Sequence, residues 1–322
     1  MRDERGAFLY RDFFTGIALS SLIFFAASLI PIVGTVFFIL TPLPIVYYYS
    51  KLGRLQGWGV FIISLSLVAL FLTFFGSMAS FPFLFISAFL GVILSEILRK
   101  NYSIEKTVIY PVTMLMILWF SFAISLSLIM GKQPWHLIED YIGRNIQESI
   151  DFYTQLDIPA EQIAPIKDNF QQITIFFTNI FPALFFVSVS FTVWINTLAA
   201  RDIFYKNGMT YPDFGNLSCW KAPESLIWLL LASGAMFLIP VEWMKFLGLN
   251  LLIVCLFVYL LQGLSIISFI FKTKNIHRLF RIPCYFLIFA QQYIILFVIA
   301  VGVVDLWVDF RKFIKPIPSS NI

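Results

Sequence analysis

Residues 131–172 read GKQPWHLIEDYIGRNIQESIDFYTQLDIPAEQIAPIKDNFQQ, and they form the one long polar segment of the chain. On both sides of this segment the sequence consists of apolar runs long enough to cross a lipid bilayer, which takes about 20 helical residues. Of the 322 residues, 60% are hydrophobic and only 12% are charged, whereas a soluble domain carries about 25% charged residues. The sequence therefore predicts a polytopic membrane protein.

The apolar runs predict an all-α transmembrane bundle of eight or nine spans in a single integral membrane domain, residues 1–322. The parts of this domain are N-terminal helices at 13–130, the polar segment at 131–172, C-terminal helices at 173–307 and a tail at 308–322. The predicted spans are 13–30, 33–50, 59–75, 81–98, 107–130, 173–200, 225–239, 246–271 and 283–307. The count stays open because no polar loop separates the first two spans.

The polar segment is predicted to fold as an amphipathic helical hairpin. Isoleucines repeat every four residues, which places them on one face of a helix, and Pro134 is typical of a helix start. These isoleucines are Ile138, Ile142, Ile146 and Ile150. We expect the hairpin to lie on the membrane or to pack over the bundle.

The distribution of Lys and Arg predicts a cytoplasmic N-terminus and an extracytoplasmic hairpin. Loops on the side of the N-terminus hold about twice as many of these residues as the other loops. The chain is therefore expected to be a multi-pass protein of the bacterial cytoplasmic (inner) membrane, surrounded by lipid. The basic pair Arg311-Lys312 disagrees with nine spans, because that count places it outside.

Motifs of catalysis and cofactor binding are missing from the sequence. It has no GxxxxGK[ST] phosphate loop, only two histidines, and three cysteines that form no CxxC pair. The net charge of +4 is small, so we expect no nucleic-acid partner. We therefore expect no catalytic residue, no cofactor and no metal, and energy for any transport would come from a partner such as an ATPase complex.

Polarity inside the predicted spans comes from amides rather than from charged side chains. These amides are Asn179, Asn196, Asn250, Gln262, Gln291 and Gln292. Buried amides in a membrane bundle commonly link neighbouring helices. The alternative is that they line a site for a small neutral ligand beneath the hairpin.

Small residues at four-residue spacing occur on two predicted spans. They are Gly16 and Ser20 on the first span and Ser87, Gly91 and Ser95 on the fourth. This spacing lets helices approach each other closely, so these residues predict a helix-packing or partner face. Another helix of the same chain is the favoured partner.

A polar cluster follows the last apolar run and consists of Asp305, Trp307, Asp309 and Arg311. Asp305 and Asp309 lie one helical turn apart on one face, and Trp307 is typical of a membrane interface. One interpretation is a helix end anchored at the lipid headgroups. The other is a pair of carboxylates that docks a neighbouring loop.

This cluster resembles the C-terminal signature of the YybS-like family of bacterial polytopic membrane proteins. Further residues resemble the family pattern, namely Asn196-Thr-Leu-Ala-Ala-Arg201, Phe214, Trp220, Pro223 and Gln262-Gly263. The resemblance implies an integral inner-membrane protein and no established activity. A more distant likeness is to the substrate-binding membrane subunits of energy-coupling-factor vitamin transporters, in which Gly16 and Ser20 would meet a partner.

Three functional hypotheses follow from these features. The first is a membrane protein that binds or helps transport a small neutral solute, with a partner supplying energy. The alternative is a non-transporting scaffold or assembly factor that docks partners through the outer hairpin. The third is a lipid-modifying enzyme, for which Asp305 and Asp309 are the reactive residues nearest the interface.

Overall fold

A computed structural model of the chain describes residues 2–29, 33–74, 80–156 and 159–313, so residues 314–322 of the predicted tail lie outside it. Within these ranges the chain forms thirteen α-helices and two short 3₁₀ turns. The helices are α1 (Arg2–Leu29), α2 (Val33–Leu40), α3 (Pro42–Leu52), α4 (Arg54–Phe74), α5 (Phe81–Leu98), α6 (Ile104–Met130), α7 (Pro134–Gln155), α8 (Ala160–Asp168), α9 (Phe170–Lys206), α10 (Leu226–Leu238), α11 (Glu242–Thr273), α12 (Arg278–Ala290) and α13 (Gln292–Val308).

Six segments in the described part of the chain are long and apolar enough to cross a membrane. They are Tyr10–Leu29, Arg54–Phe74, Phe81–Leu98, Ile104–Met130, Phe170–Lys206 and Glu242–Thr273. They correspond to the first, third, fourth, fifth, sixth and eighth predicted spans. The all-α membrane bundle is therefore confirmed, with six long helices, or seven spans if a bent helix pair is counted as one.

The other three predicted spans are broken or short, which lowers the predicted count of eight or nine. The second is divided into α2 and α3, and the seventh is α10, which has 13 residues. The ninth is divided into α12 and α13, which are bent by 102° relative to each other at Gln291. Helices α2, α3, α10 and α12 have 8 to 13 residues and are too short to cross the bilayer alone, and α13, with 17 residues, is at the lower limit of length for a span.

The break between α2 and α3 follows from Pro42. Proline has no N–H, so the carbonyl of Phe38 loses the donor that a continuous helix would supply. That carbonyl instead accepts from the Thr41 N–H at 3.2 Å and from the Ser87 hydroxyl at 3.4 Å. A neighbouring helix thus replaces part of the lost backbone bonding, as breaks inside a membrane require.

The chain divides into two compact units. Unit 1 comprises Met1–Phe122 and Ser188–Phe214, and unit 2 comprises Ala123–Val187 and Gly215–Ile322. Helices α6 and α9 therefore contribute residues to both units. The expected single membrane domain stays a prediction, and each unit has its own buried residues.

In unit 1 the predicted small-residue face packs against α3 of the same chain. A Cβ on Gly16 would lie 2.9 Å from the Tyr48 ring, and one on Gly91 would lie 2.8 Å from the Ile45 Cβ. The serines of the predicted face, Ser20, Ser87 and Ser95, are buried. An internal helix thus occupies this face.

In unit 2 the predicted hairpin segment forms two contacting helices, α7 and α8. Helix α7 begins at the predicted Pro134, and its isoleucine face is turned inward, with Ile138 and Ile150 buried. Gly143 on this helix lies close to Phe170 and Thr174 at the start of α9. The apolar face of the polar segment is therefore packed against the beginning of a membrane-spanning helix.

Candidate functional site

Unit 2 contains an open cavity of about 700 Å³ between α7, α9, α10 and α11, here termed the aromatic cavity. It is lined by Trp135, Ile175, Asn179, Phe237, Glu242, Trp243, Lys245, Phe246 and Leu249. The Trp135 ring, from the first turn of α7, meets the Phe246 ring edge-on, with 5.5 Å between their centroids. The polar segment therefore supplies one aromatic wall of a cavity whose other walls come from membrane helices.

An amide bridge fixes α9 to α11 beside this cavity. Pro182 lies inside α9 and weakens the helix there, because it cannot donate a backbone hydrogen bond. The Asn250 side chain of α11 accepts from the Ala183 N–H at 2.9 Å and donates to the Asn179 carbonyl at 2.8 Å. A continuous helix would pair these two backbone groups with each other. Asn250 therefore holds the turn of α9 that directs Asn179 to the cavity.

The charged residues of the cavity are Glu242 and Lys245, in the first turn of α11. Among the residues the structure describes neither side chain is in an ion pair, and both are exposed. The cavity thus offers one carboxylate, one ammonium group and one amide. Within the described ranges, no group of three His, Cys, Asp or Glu side chains is placed to hold a metal ion.

The six predicted amides are not assembled around one ligand, and only Asn179 lines the aromatic cavity. Asn196 donates to a carbonyl of α2 at 2.7 Å, next to the break before α3, and Gln262 is buried beside α13. Gln291 and Gln292 are exposed at the bend between α12 and α13. The prediction that these amides line one ligand site is therefore wrong. The buried amides instead form hydrogen bonds with backbone and side-chain groups where helices are interrupted.

A second polar centre of unit 2, here termed the tail network, comprises Gln262, Ser265, Asp305 and Arg311. The Arg311 guanidinium donates to the Asp305 carboxylate at 2.7 Å, and the Asp305 side chain is fully buried. The Gln262 amide donates to the same carboxylate oxygen at 3.1 Å, and the Phe310 N–H donates to the other oxygen at 2.9 Å. Both carboxylate oxygens therefore have partners, which a buried charge requires.

The tail network also binds the backbone of the loop that precedes α10. Arg311 donates to the carbonyls of Ser218 and Trp220 at 3.3 and 2.9 Å. The side-chain amide oxygen of Gln262 accepts from the Ala222 N–H at 3.1 Å. The structure therefore favours the interpretation in which the carboxylates of the tail dock a neighbouring loop.

Two glycines bring α11 and α13 close enough for this network to form. A Cβ on Gly302 would overlap the Tyr259 carbonyl, and one on Gly263 would overlap the Val298 carbonyl. Small residues of this kind allow membrane helices to make backbone contact. The close approach places Asp305 of α13 within hydrogen-bond distance of Gln262 of α11.

Asp309 lies just beyond α13 and pairs with two lysines. Lys221 of the loop is 3.0 Å away and Lys312 is 3.3 Å away. The hydrogen bond from Lys221, followed by that from Lys312, lowers the pKa of Asp309 below its ordinary value. Trp307 lies in the last turn of α13 and is 70% exposed. Its ring is therefore accessible for the interface role that the sequence predicts.

A second groove of about 470 Å³ lies between the polar segment and α9, and it is termed the hairpin groove. Its walls are mainly apolar and include Ile142, Ile146, Ile150, Ile173 and Phe177. Beyond this groove, Phe152 and Leu156 at the end of α7 are exposed. The polar segment therefore presents apolar surface as well as its charged face.

Comparison with known proteins gave one family and one curated relative. The family described as "Predicted membrane protein (DUF2232)" matches residues 18–306. A protein of Bacillus subtilis (strain 168) described as "Uncharacterized protein YybS" is 21% identical over 313 residues, covering 93% of this chain and 96% of that protein. No solved structure shows a significant match.

Proposed function

The chain belongs to the DUF2232 family of predicted membrane proteins, as its resemblance to the YybS-like family indicated, and on this premise we propose that it binds a small, mostly neutral solute. The aromatic cavity is the observation that carries the proposal. Its volume of about 700 Å³ falls within the range of about 300–1,000 Å³ typical of small-molecule sites. Aromatic walls with a few polar groups are also typical of such sites.

The charge balance of the cavity supports a solute without net charge. Glu242 and Lys245 contribute opposite charges, and Asn179 contributes a neutral donor and acceptor. A cation or an anion would gain from one charged group and be repelled by the other. A neutral or zwitterionic molecule with an apolar body fits both the charges and the rings of Trp135 and Trp243.

We also propose the membrane in which the protein lies and the energy source of any transport. The Lys and Arg distribution supports a bacterial cytoplasmic (inner) membrane with the N-terminus in the cytoplasm. The sequence has no phosphate-binding loop of its own, so transport would take its energy from a partner such as an ATPase complex. The proposed role contains no catalytic step, and Asp305 and Asp309, the residues of the enzyme hypothesis, are engaged in ion pairs.

A thermal-shift screen with a matched pair of tryptophan variants tests the proposal. The purified protein in mild detergent is melted in the presence of vitamins, their precursors and other small neutral metabolites. Trp243 and Trp228 are both exposed, at 63% and 72%, but only Trp243 lines the aromatic cavity. We expect at least one solute to raise the melting temperature of the native protein and of Trp228→Ala, and not of Trp243→Ala. A screen without any shift, or a shift that survives Trp243→Ala, would count against the cavity.

The second candidate function is a scaffold or assembly factor, and the exposed apolar end of α7 favours it. Phe152 and Leu156 are each 56% exposed outside the bundle, where exposed apolar side chains commonly mark a protein contact. The test replaces both residues with Ser and compares the proteins that co-purify from native membranes. Tyr205→Ser, which alters a side chain 57% exposed on α9, is the control. Identical sets of partners in the two variants would remove the basis of this candidate.

A further inference from the structure

Helix α12 begins beside the C-terminal end of α11. Only four residues separate Thr273, the last residue of α11, from Arg278, the first residue of α12. Arg281 in the first turn of α12 donates to the carbonyls of Phe271 and Ile276 at 3.3 and 2.8 Å. The start of the bent pair α12–α13 is therefore fixed at the C-terminal end of α11.

The end of the bent pair returns to the same part of α11. Arg311, three residues beyond α13, donates to the hydroxyl of Ser265, which lies in the last third of α11. The opposite end of α11, by contrast, faces the aromatic cavity, because Glu242 and Phe246 line it. Helix α11 is about 48 Å long at 1.5 Å per residue, so its two ends lie on opposite sides of the bilayer.

The loop before α10 runs along α11 and is irregular apart from one 3₁₀ turn at Leu217–Cys219. The Lys272 ammonium donates a hydrogen bond to the side-chain oxygen of Asn216 at 2.9 Å. The Ala222 N–H donates to the side-chain oxygen of Gln262 at 3.1 Å. Ten residues of α11 separate these two contacts, which is about 15 Å along the helix. The loop thus descends to the depth at which α10 begins, and loop and helix together replace the predicted seventh span.

Irregular backbone at this depth needs partners inside the protein for the groups that its 3₁₀ turn leaves unpaired, because lipid offers none. The tail network supplies them. Arg311 binds the carbonyls of Ser218 and Trp220, Ser265 lies 3.1 Å from the Leu217 carbonyl, and Gln262 binds the Ala222 N–H. Asp305 holds Arg311 in place without touching the loop backbone itself.

We propose that α12 and α13 form a re-entrant pair, which enters and leaves on the side where α11 ends, and that Asp305 and Arg311 act as a clasp. The clasp holds the irregular first half of the discontinuous span formed by the loop and α10. Asp305 is then a positioning residue that acts through Arg311. The arrangement also places Arg311 and Lys312 on the same side as the basic loop after α11, which removes the conflict that nine spans created for the tail.

Cysteine labelling in oriented membrane vesicles tests the re-entrant pair. The native Cys219 in the loop is exposed and serves as one reporter. Phe313→Cys, at a tail position that is 73% exposed, and Glu148→Cys, on the polar segment, serve as the others, each as the single reactive thiol in the full chain. With an impermeant maleimide, we expect positions 219 and 313 to be labelled from the same side and position 148 from the opposite side. Labelling of position 313 together with position 148 would overturn the proposal.

Labelling of the loop tests the clasp. Ser218 is 2% exposed, so Ser218→Cys in a Cys219→Ala background should react slowly while the clasp is closed. Adding Arg311→Leu should raise its labelling rate about tenfold or more, because the loop carbonyls lose their donor. Lys312→Ala, which removes an exposed charge of the same tail, should leave the rate unchanged.

A second variant separates clasp opening from general unfolding. Asp305→Leu combined with Arg311→Met keeps apolar contact between the helices but provides no donor for the loop. We expect this protein to elute as the native species in size-exclusion chromatography while labelling of Ser218→Cys still accelerates. An unchanged labelling rate in this variant or in Arg311→Leu would overturn the clasp.

Discussion

Replacing Asp305 with Asn is expected to destabilise the protein by about 3–5 kcal/mol. The Asp305 side chain is fully buried and that of Arg311 is 9% exposed, with 2.7 Å between carboxylate and guanidinium. Asparagine keeps the shape of the side chain but removes its charge. The guanidinium then stays buried without a counter-charge, and an unpaired buried charge is the most costly result of breaking an ion pair.

The assay is reversible unfolding in mixed detergent micelles with increasing SDS, followed by tryptophan fluorescence. Asp309→Asn is the matched control, because it removes a carboxylate four residues further along that pairs with lysines at the surface. Surface ion pairs contribute little to stability, so the control should lose much less. Replacing Asp305 with Leu and Arg311 with Met together should recover only part of the loss, since no charge remains buried but the loop carbonyls have no donor. Equal losses for Asp305→Asn and Asp309→Asn would refute the reasoning.

Further substitutions test helix contacts and the pH dependence of the tail. Gly302→Ala should cost about 1–3 kcal/mol, because the added Cβ would overlap a carbonyl of α11. Asn196→Ala should cost about 1–3 kcal/mol, because the Ile39 carbonyl would lose its amide donor. Thermal melts in detergent measure both losses, and unchanged melting temperatures would contradict them. The lowered pKa of Asp309 means that its ion pairs stabilise the protein above the ordinary carboxylate pKa and are lost as the pH falls through the lowered value. The melting temperature of Lys221→Ala should therefore fall less steeply below about pH 4, and a profile identical to that of the native protein would contradict this.

The membrane helices could be predicted because length and apolar character are sufficient to define them. Six spans and the helix start at Pro134 are found where the sequence placed them. The break at Pro42 was foreseeable because proline removes a backbone donor. The bend at Gln291 was not, because residues 283–307 form one apolar run in which two amides do not distinguish a straight helix from a bent one.

The candidate site was harder to predict than the bundle. One of the two interpretations of the amides was a site that they line, but the walls of the cavity are aromatic, with Trp135, Trp243 and Phe246 among them. Aromatic residues near span ends usually mark the membrane interface, so their convergence depends on tertiary packing that a single sequence does not show. In hindsight, Trp135 at the start of the polar segment and Trp243 at the start of an apolar run were the available signals.

The tail network depends on contacts that are distant in sequence. Asp305 and Arg311 are six residues apart, which is not a helical pairing distance, and a 3₁₀ turn after α13 brings them together. Their other partners lie more than 40 residues earlier, on α11 and in the loop before α10. The sequence could state only that two carboxylates close to lipid need a partner, and it left the docking of a loop as one of two interpretations.

Solute binding in the aromatic cavity is best tested by mass spectrometry of the small molecules that the protein retains when it is purified from native membranes in mild detergent. We expect a stoichiometric neutral or zwitterionic compound in the native protein and in Trp228→Ala. The same compound should be depleted in Trp243→Ala, which removes a wall of the aromatic cavity. The absence of any retained compound, or equal retention by the two tryptophan variants, would contradict the claim that this cavity binds a solute.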